Sequence, residues 1–146
     1  MSKEVISNLN NLIADFTVSY QKLRHYHWNV KGSQFFKLHE KFEEVYTEVG
    51  DVIDELAERV VGLGGTPFHT LAHMLEATSI KEDAELPAAG VMVTRTVDDI
   101  KALSNHLQAA IEAAEKADDR TTVNLLDGIH DGLEAHLWML EAWQAD

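Results

Sequence analysis

Apolar residues recur along most of this chain in alternating steps of three and four, which is the spacing of one face of an α-helix. The clearest series is Leu38, Phe42, Val45, Val49, Val52, Leu56 and Val60. This period predicts long helices over residues 3–30, 36–62 and 93–114, and a fourth that begins near 118–121. No run alternates apolar and polar residues as a half-buried strand does. The sequence therefore predicts an all-α protein.

The connections between the predicted helices differ in length. Gly32 interrupts the chain after the first helix, and Gly64 ends the second. Thr66 and Pro67 are suited to an N-cap and a first helical turn, so they predict a short helix over 67–77. This short helix lies in a long crossover between helices two and three. Such a crossover is typical of the ferritin-like four-helix bundle.

Length and composition exclude several classes of protein. The 146 residues fit one domain over 1–146 with a sizeable core. The chain has no cysteine, which excludes disulfides and thiolate metal sites. Without a signal-peptide pattern or an apolar run near ~18 residues, it is expected to be a cytoplasmic protein with no membrane span. The net charge of −13 opposes non-specific nucleic-acid binding and favours attraction of cations.

Two pairs of metal-competent side chains share a face of the second predicted helix. His39 and Glu43 are four residues apart, and so are Asp54 and Glu58. The eleven-residue step from Glu43 to Asp54 returns almost to the same face but advances roughly 16 Å along the axis. One metal ion cannot span that distance. Two such helices packed antiparallel about a twofold axis would bring the first pair of one chain opposite the second pair of the other.

These pairs supply one imidazole and three carboxylates, and His27 at the end of the first helix can add a second imidazole. Such a mixture suits iron, manganese or zinc. The alternative is that carboxylates at this spacing are solvated surface charge, and the residues alone leave both interpretations open. A di-iron site inside one bundle is disfavoured, because it needs Glu-x-x-His sequences and this chain has none.

Several segments together are typical of a known family. They are His27-Trp28-Asn29 with Gly32, Leu38-His39-Glu40, Phe42, Tyr46, Asp54, Ala57-Glu58-Arg59, Leu63-Gly64-Gly65-Thr66-Pro67 and His136-Leu137-Trp138-Met139-Leu140. With them the chain resembles the Dps family, the mini-ferritins named as DNA-binding proteins from starved cells, over almost all of residues 5–143.

The resemblance implies a ferroxidase site shared between two subunits. Its ligands would be His27, His39 and Glu43 from one subunit, and Asp54 and Glu58 from the twofold-related one. Many relatives have Asp where this chain has Glu43, so the metal spacing or preference is expected to differ.

The resemblance further implies a hollow dodecamer of twofold dimers that oxidises Fe(II), preferably with hydrogen peroxide rather than oxygen, and stores ferric mineral. Zinc and manganese are the expected competitors.

Further residues are auxiliary candidates. Trp28 is a candidate trap for a stray oxidising equivalent, although filling the dimer interface is the favoured role. His25, beside the motif, is a candidate auxiliary metal ligand. Asp127 and Asp131 lie near the start of the fourth helix, where the resemblance implies threefold iron-entry pores, and their field would attract cations.

A second functional class is a nucleoid-associated protein that protects DNA by direct binding. Family members that bind DNA commonly use terminal extensions rich in Lys and Arg. This chain has one Lys in its first 20 residues and an acidic end. The sequence therefore disfavours direct DNA binding.

Overall fold

The computed structural model describes residues 2–145 and contains five helices within them. They are α1 (Ser2–Asn29), α2 (Phe35–Gly62), α3 (Leu71–Ala77), α4 (Ala89–Lys116) and α5 (Arg120–Gln144). The four long helices and the short helix of the crossover confirm the predicted all-α, ferritin-like architecture. No strand occurs in this part of the chain. Nor does any helix within it have the length and apolar character needed to cross a membrane.

The core lies where the apolar faces of the four long helices meet. Helix α1 packs against α2, α3 and α4, and α5 packs against α4 and α2. Removal of these faces from water is the main source of stability in such a bundle. The largest fully buried side chains are Leu9, Leu12, Ile13, Phe16, Tyr26, Leu38, Phe42, Leu56, Met92, Leu103, Leu107 and Leu126.

The crossover differs from the prediction at the start of its short helix. Helix α3 begins at Leu71 rather than at residue 67, and its N-cap is Thr70, whose side chain accepts a hydrogen bond from the backbone of His73. Upstream, the amide of Asn10 donates to the carbonyl of Thr66 at 3.2 Å, and its oxygen accepts from the backbone N–H of Phe68 at 2.9 Å. Asn10 on α1 thus satisfies the backbone groups that would otherwise begin a helix at this point.

One ion pair joins the end of α2 to the start of α5. Arg59 donates to Asp119 at 3.0 Å and to the hydroxyl of Thr122 at 2.9 Å. Asp119 is also the N-cap of α5 and accepts from the backbone of Thr122. Burial alone would raise the pKa of Asp119, but the hydrogen bonds from Thr122 and the charge of Arg59 outweigh it and lower that pKa. These contacts fix the helix turn in which Glu58 lies.

Asp15 attaches the crossover to the bundle. This carboxylate is buried and accepts hydrogen bonds from the hydroxyl of Thr78 at 2.7 Å and the backbone N–H of Ser79 at 3.0 Å. On its other oxygen it contacts the Nδ1 of His106 on α4 at 2.8 Å. A buried carboxylate is stable only with such partners. The partners in turn depend on it as their acceptor.

We therefore expect Asp15→Ala to lower the free energy of unfolding by about 2 kcal/mol, because it removes the buried carboxylate to which three groups of the crossover and α4 are bonded. Urea denaturation followed by circular dichroism at fixed protein concentration measures the change. Asp98→Ala is the control, since Asp98 is exposed on α4 and should change stability by less than about 0.5 kcal/mol. Equal midpoints for the two variants would contradict the anchoring role.

Candidate metal centre

His27 and His39 face each other across the turn between α1 and α2. Their rings are stacked, with centroids 3.8 Å apart and planes at 11°. The Nδ1 of His27 lies 2.6 Å from the carbonyl oxygen of His39, and the Nδ1 of His39 lies 2.6 Å from the carbonyl oxygen of His27. A carbonyl can only accept, so each Nδ1 carries the proton. In each neutral ring, Nε2 is therefore left with a free lone pair, the state that binds metals.

Glu43 lies next to these rings. One of its carboxylate oxygens is 4.0 Å from Nε2 of His27. His27 is buried, whereas the side chain of Glu43 is 57% exposed. The structure thus brings His27 close to both His39 and Glu43, with the imidazoles held by protein and the carboxylate reaching into solvent.

Asp54 and Glu58 are not brought to this place within one chain. Both are exposed, and α2 runs without a break from Phe35 to Gly62. The eleven residues from Glu43 to Asp54 therefore correspond to roughly 16 Å of rise. Among residues 2–145, no group of three or more His, Asp or Glu side chains converges closely enough to hold a metal ion. A single chain presents its candidate ligands as two separate parts.

Aromatic rings enclose the two imidazoles. Phe35 stacks on His39 with centroids 4.8 Å apart, and Tyr46 lies edge-on to His27 at 5.3 Å. In the sequence, Tyr46 is three residues after Glu43 and seven after His39, on the same face of α2, but this spacing does not show its contact with His27. The contact of Tyr46 with His27 could not be predicted, because the two residues are far apart in the sequence and meet only when α1 packs against α2.

The auxiliary candidates lie in different surroundings. Both ring nitrogens of His25 are occupied, because Nε2 contacts the carbonyl of Glu85 at 2.8 Å and Nδ1 lies 3.0 Å from the amide nitrogen of Asn29. His25 therefore has no free nitrogen for a metal in this arrangement. Trp28 is 55% exposed, and the guanidinium of Arg24 lies over its ring, 5.0 Å from the centroid.

Asp127 and Asp131 are both exposed on α5. Neither forms a hydrogen bond or an ion pair with another described side chain. Their predicted place at a pore stays a prediction.

His136 is a buried histidine that belongs to one of the family segments but was not among the predicted site residues. It contacts Glu48 through Nε2, and its Nδ1 lies 2.9 Å from Nζ of Lys41. Burial first, and then the charge of Lys41, lower the pKa of His136 against the opposing effect of Glu48 and Glu44. It borders a cleft of about 430 Å³ between α2 and α5. The residues three and four positions away from His136 on α5 are not ionisable, so no spacing along this helix could have revealed the cluster.

A partly buried network holds the end of α1 that carries His27. The hydroxyl of Tyr26 donates to Asp83 at 2.6 Å, and Arg95 donates to the same carboxylate at 2.8 Å. Burial, followed by the hydrogen bond and charge of Asp83, raises the pKa of Tyr26. Burial alone would raise the pKa of Asp83, but the hydrogen bonds from Tyr26 and Arg95 outweigh burial and lower this pKa to about 2.

This depressed pKa predicts an acid-sensitive contribution to stability. The pKa of Asp83 is about 2 in the folded protein and about 3.9 in the unfolded chain. The ionised carboxylate therefore contributes its full stability above about pH 3.9, and this stability is lost as the pH falls towards about 2. We expect Asp83→Asn to lose less stability than the wild type between about pH 4 and 2. Thermal unfolding across that range measures the difference. Parallel curves for the two proteins would contradict the role of Asp83.

Comparison with known proteins defines the class to which this bundle belongs. Residues 6–146 match the family described as a ferritin-like domain. The DNA protection during starvation protein of Brevibacillus brevis is 50% identical over 135 residues, which cover 92% of this chain and 91% of that protein. General stress protein 20U of Bacillus subtilis strain 168 is 43% identical over 143 residues, with 98% and 99% covered. The chain is a ferritin-like protein.

Solved structures narrow the assignment. The crystal structure of a Dps protein from Bacillus brevis has a TM-score of 0.96 and 48% identity, covering 98% of this chain and 96% of that one. A Dps protein from Vibrio cholerae O1, described as a member of a broad superfamily of ferritin-like diiron-carboxylate proteins, has a TM-score of 0.95 and 37% identity, with 98% and 90% covered. The chain belongs to the Dps family.

Proposed function

We propose that this protein stores and detoxifies iron in the cytoplasm, as a ferroxidase that oxidises Fe(II), preferably with hydrogen peroxide. The observation that carries the proposal is the reciprocal pair of hydrogen bonds between His27 and His39. They fix both rings in the tautomer whose Nε2 binds metals, beside Glu43. Membership of a family with diiron-carboxylate relatives agrees with iron as the substrate.

The site is completed, in this proposal, by a second copy of the chain. Asp54 of the partner subunit and Glu58 of the partner subunit would face His27, His39 and Glu43 across a twofold axis. Exposed apolar side chains, some of them near the candidate ligands in sequence, are available for such an association. They lie at the end of α1, at both ends of α2 and on α3: Trp28, Phe36, Val61, Leu71 and Leu75. Such dimers would assemble into a hollow dodecamer.

The ligand set explains why iron would be oxidised there. Carboxylates stabilise Fe(III) more than Fe(II), so they lower the reduction potential and favour loss of an electron. The net charge of −13 attracts Fe²⁺ towards the protein. Ferric ions then hydrolyse and would accumulate as mineral inside the cage. Zinc and manganese suit the same ligands and would compete for them.

Protection of DNA follows from this chemistry without contact between protein and DNA. Two relatives carry the name DNA protection during starvation protein. Joint removal of Fe(II) and peroxide prevents formation of the hydroxyl radical, which is the species that damages DNA. A strongly acidic protein repels phosphate, so the indirect route is the one we propose.

Sharing of the site between subunits gives a complementation test. His39→Ala and Asp54→Ala should each abolish rapid Fe(II) oxidation by peroxide, because each change damages every site in a homo-oligomer. Mixed oligomers refolded from both variants should recover part of the activity, since some interfaces then carry one intact site. Stopped-flow absorbance of Fe(III) measures the rate, and native mass spectrometry verifies mixing.

Glu40→Ala is the matched control, because Glu40 is exposed on α2 beside His39 and is not a proposed ligand. It should retain the wild-type rate. Verified mixed oligomers without recovered activity would contradict the shared site. Wild-type protein that leaves Fe(II) oxidation at the rate of free solution would contradict the ferroxidase function itself.

Direct DNA binding is tested separately by a gel shift at low salt. We expect no retardation of linear DNA by the wild-type protein, because phosphate contacts need clustered Lys and Arg. Retardation that disappears as salt is raised would show that the acidic surface conceals a basic patch and would support the alternative function.

A further inference from the structure

A series of ring contacts leads from the candidate centre to two tyrosines. Tyr46 lies edge-on to His27, with centroids 5.3 Å apart and planes at 77°. Tyr20 lies edge-on to Tyr46 at 5.7 Å and 83°. The third tyrosine of the chain, Tyr26, contacts the rings of its neighbour in sequence and of a core phenylalanine instead. Two oxidisable phenols therefore lie in line behind one proposed iron ligand.

Gly50 and Arg24 hold Tyr20 in this line. A Cβ atom at Gly50 would lie only 3.1 Å from Cε1 of Tyr20, so the missing side chain lets the ring lie against α2. The guanidinium of Arg24 is 5.4 Å from the Tyr20 ring and 5.0 Å from the Trp28 ring. This cation opposes positive charge on either ring, so a tyrosine oxidised here must lose its phenolic proton together with the electron.

We propose that Tyr46, backed by Tyr20, donates one electron during peroxide reduction and stores the oxidising equivalent until a second Fe(II) arrives. The proposal rests on the ferroxidase function proposed above. Reduction of hydrogen peroxide to two waters takes two electrons, and each Fe(II) supplies one. A site that holds a single iron releases a hydroxyl radical unless a neighbouring side chain gives the second electron. Tyr46 is the phenol in ring contact with a proposed ligand.

The electrons and protons balance over one cycle. Fe(II) gives one electron to peroxide, and cleavage of the O–O bond leaves Fe(III), hydroxide and a hydroxyl-radical equivalent. Tyr46 gives its phenolic hydrogen atom to that oxygen, which becomes water, and a neutral tyrosyl radical remains. An electron and a proton from Tyr20 restore Tyr46 and move the radical one ring further from iron. A second Fe(II) and a proton from water restore Tyr20. In total, two Fe(II), one peroxide and two protons give two Fe(III) and two waters.

Freeze-quench electron paramagnetic resonance tests this relay on the intact oligomer, loaded with one Fe(II) per site and mixed with equimolar peroxide. We expect a tyrosyl signal in the wild type, its loss in Tyr46→Phe, and a signal with altered hyperfine structure in Tyr20→Phe. Phenylalanine keeps the ring packing and removes only the phenol. Spin trapping in the same mixtures should detect more hydroxyl radical from Tyr46→Phe than from the wild type.

Two matched controls make the outcome specific. Trp138→Phe and Trp143→Phe each remove an indole on α5 that lies outside the series; both should keep the wild-type signal and spin-adduct yield. A wild-type signal that survives Tyr46→Phe, or that either control variant removes, would overturn the relay. So would the absence of any protein radical in a wild type that oxidises Fe(II) normally. A wild type that fails to oxidise Fe(II) with peroxide would overturn the proposed function as well.

Discussion

The two imidazole–carbonyl hydrogen bonds at the turn between α1 and α2 determine what this end of the bundle can do. The last four carbonyls of a helix have no partner within it. The carbonyl of His27 is one of these in α1, and the Nδ1–H of His39 satisfies it. The carboxyl-terminal end of α1 thus fixes the tautomer of His39 on α2. The proposed metal-binding role of these two histidines thus depends on the way the end of α1 satisfies its backbone carbonyls.

The sequence predicted the helices well because their apolar period records which face each one buries. It also predicted the separation of the two ligand pairs, because rise per residue in an unbroken α2 leaves no freedom. Thr66 and Pro67 misled the prediction of the short helix. Their signal is local, whereas the side chain of Asn10, more than fifty residues earlier in the chain, determines the outcome by binding the backbone there.

Contacts between distant segments could not be predicted from the sequence, because they too depend on residues far apart along the chain. Tyr26 pairs with Asp83, and His136 meets Lys41 and Glu48, across separations that no periodic pattern marks. The candidate ligands were found because their chemistry and spacing are both distinctive. The residues that orient and surround them became visible only once α1 and α2 were packed together.

The division of the candidate site into a buried part and an exposed part has a consequence for assembly. His27 is buried and held by a carbonyl, whereas Glu43, Asp54 and Glu58 are exposed. In the proposed dimer these carboxylates lose freedom only when the interface forms, and their mutual repulsion opposes its formation. A bound cation removes that repulsion. Because coupling between binding and association is reciprocal, iron must strengthen the interface by the same factor by which the interface strengthens iron binding. In the proposed dimer, assembly and iron binding would then be one linked equilibrium, because the acidic face that opposes an empty interface would favour a loaded one.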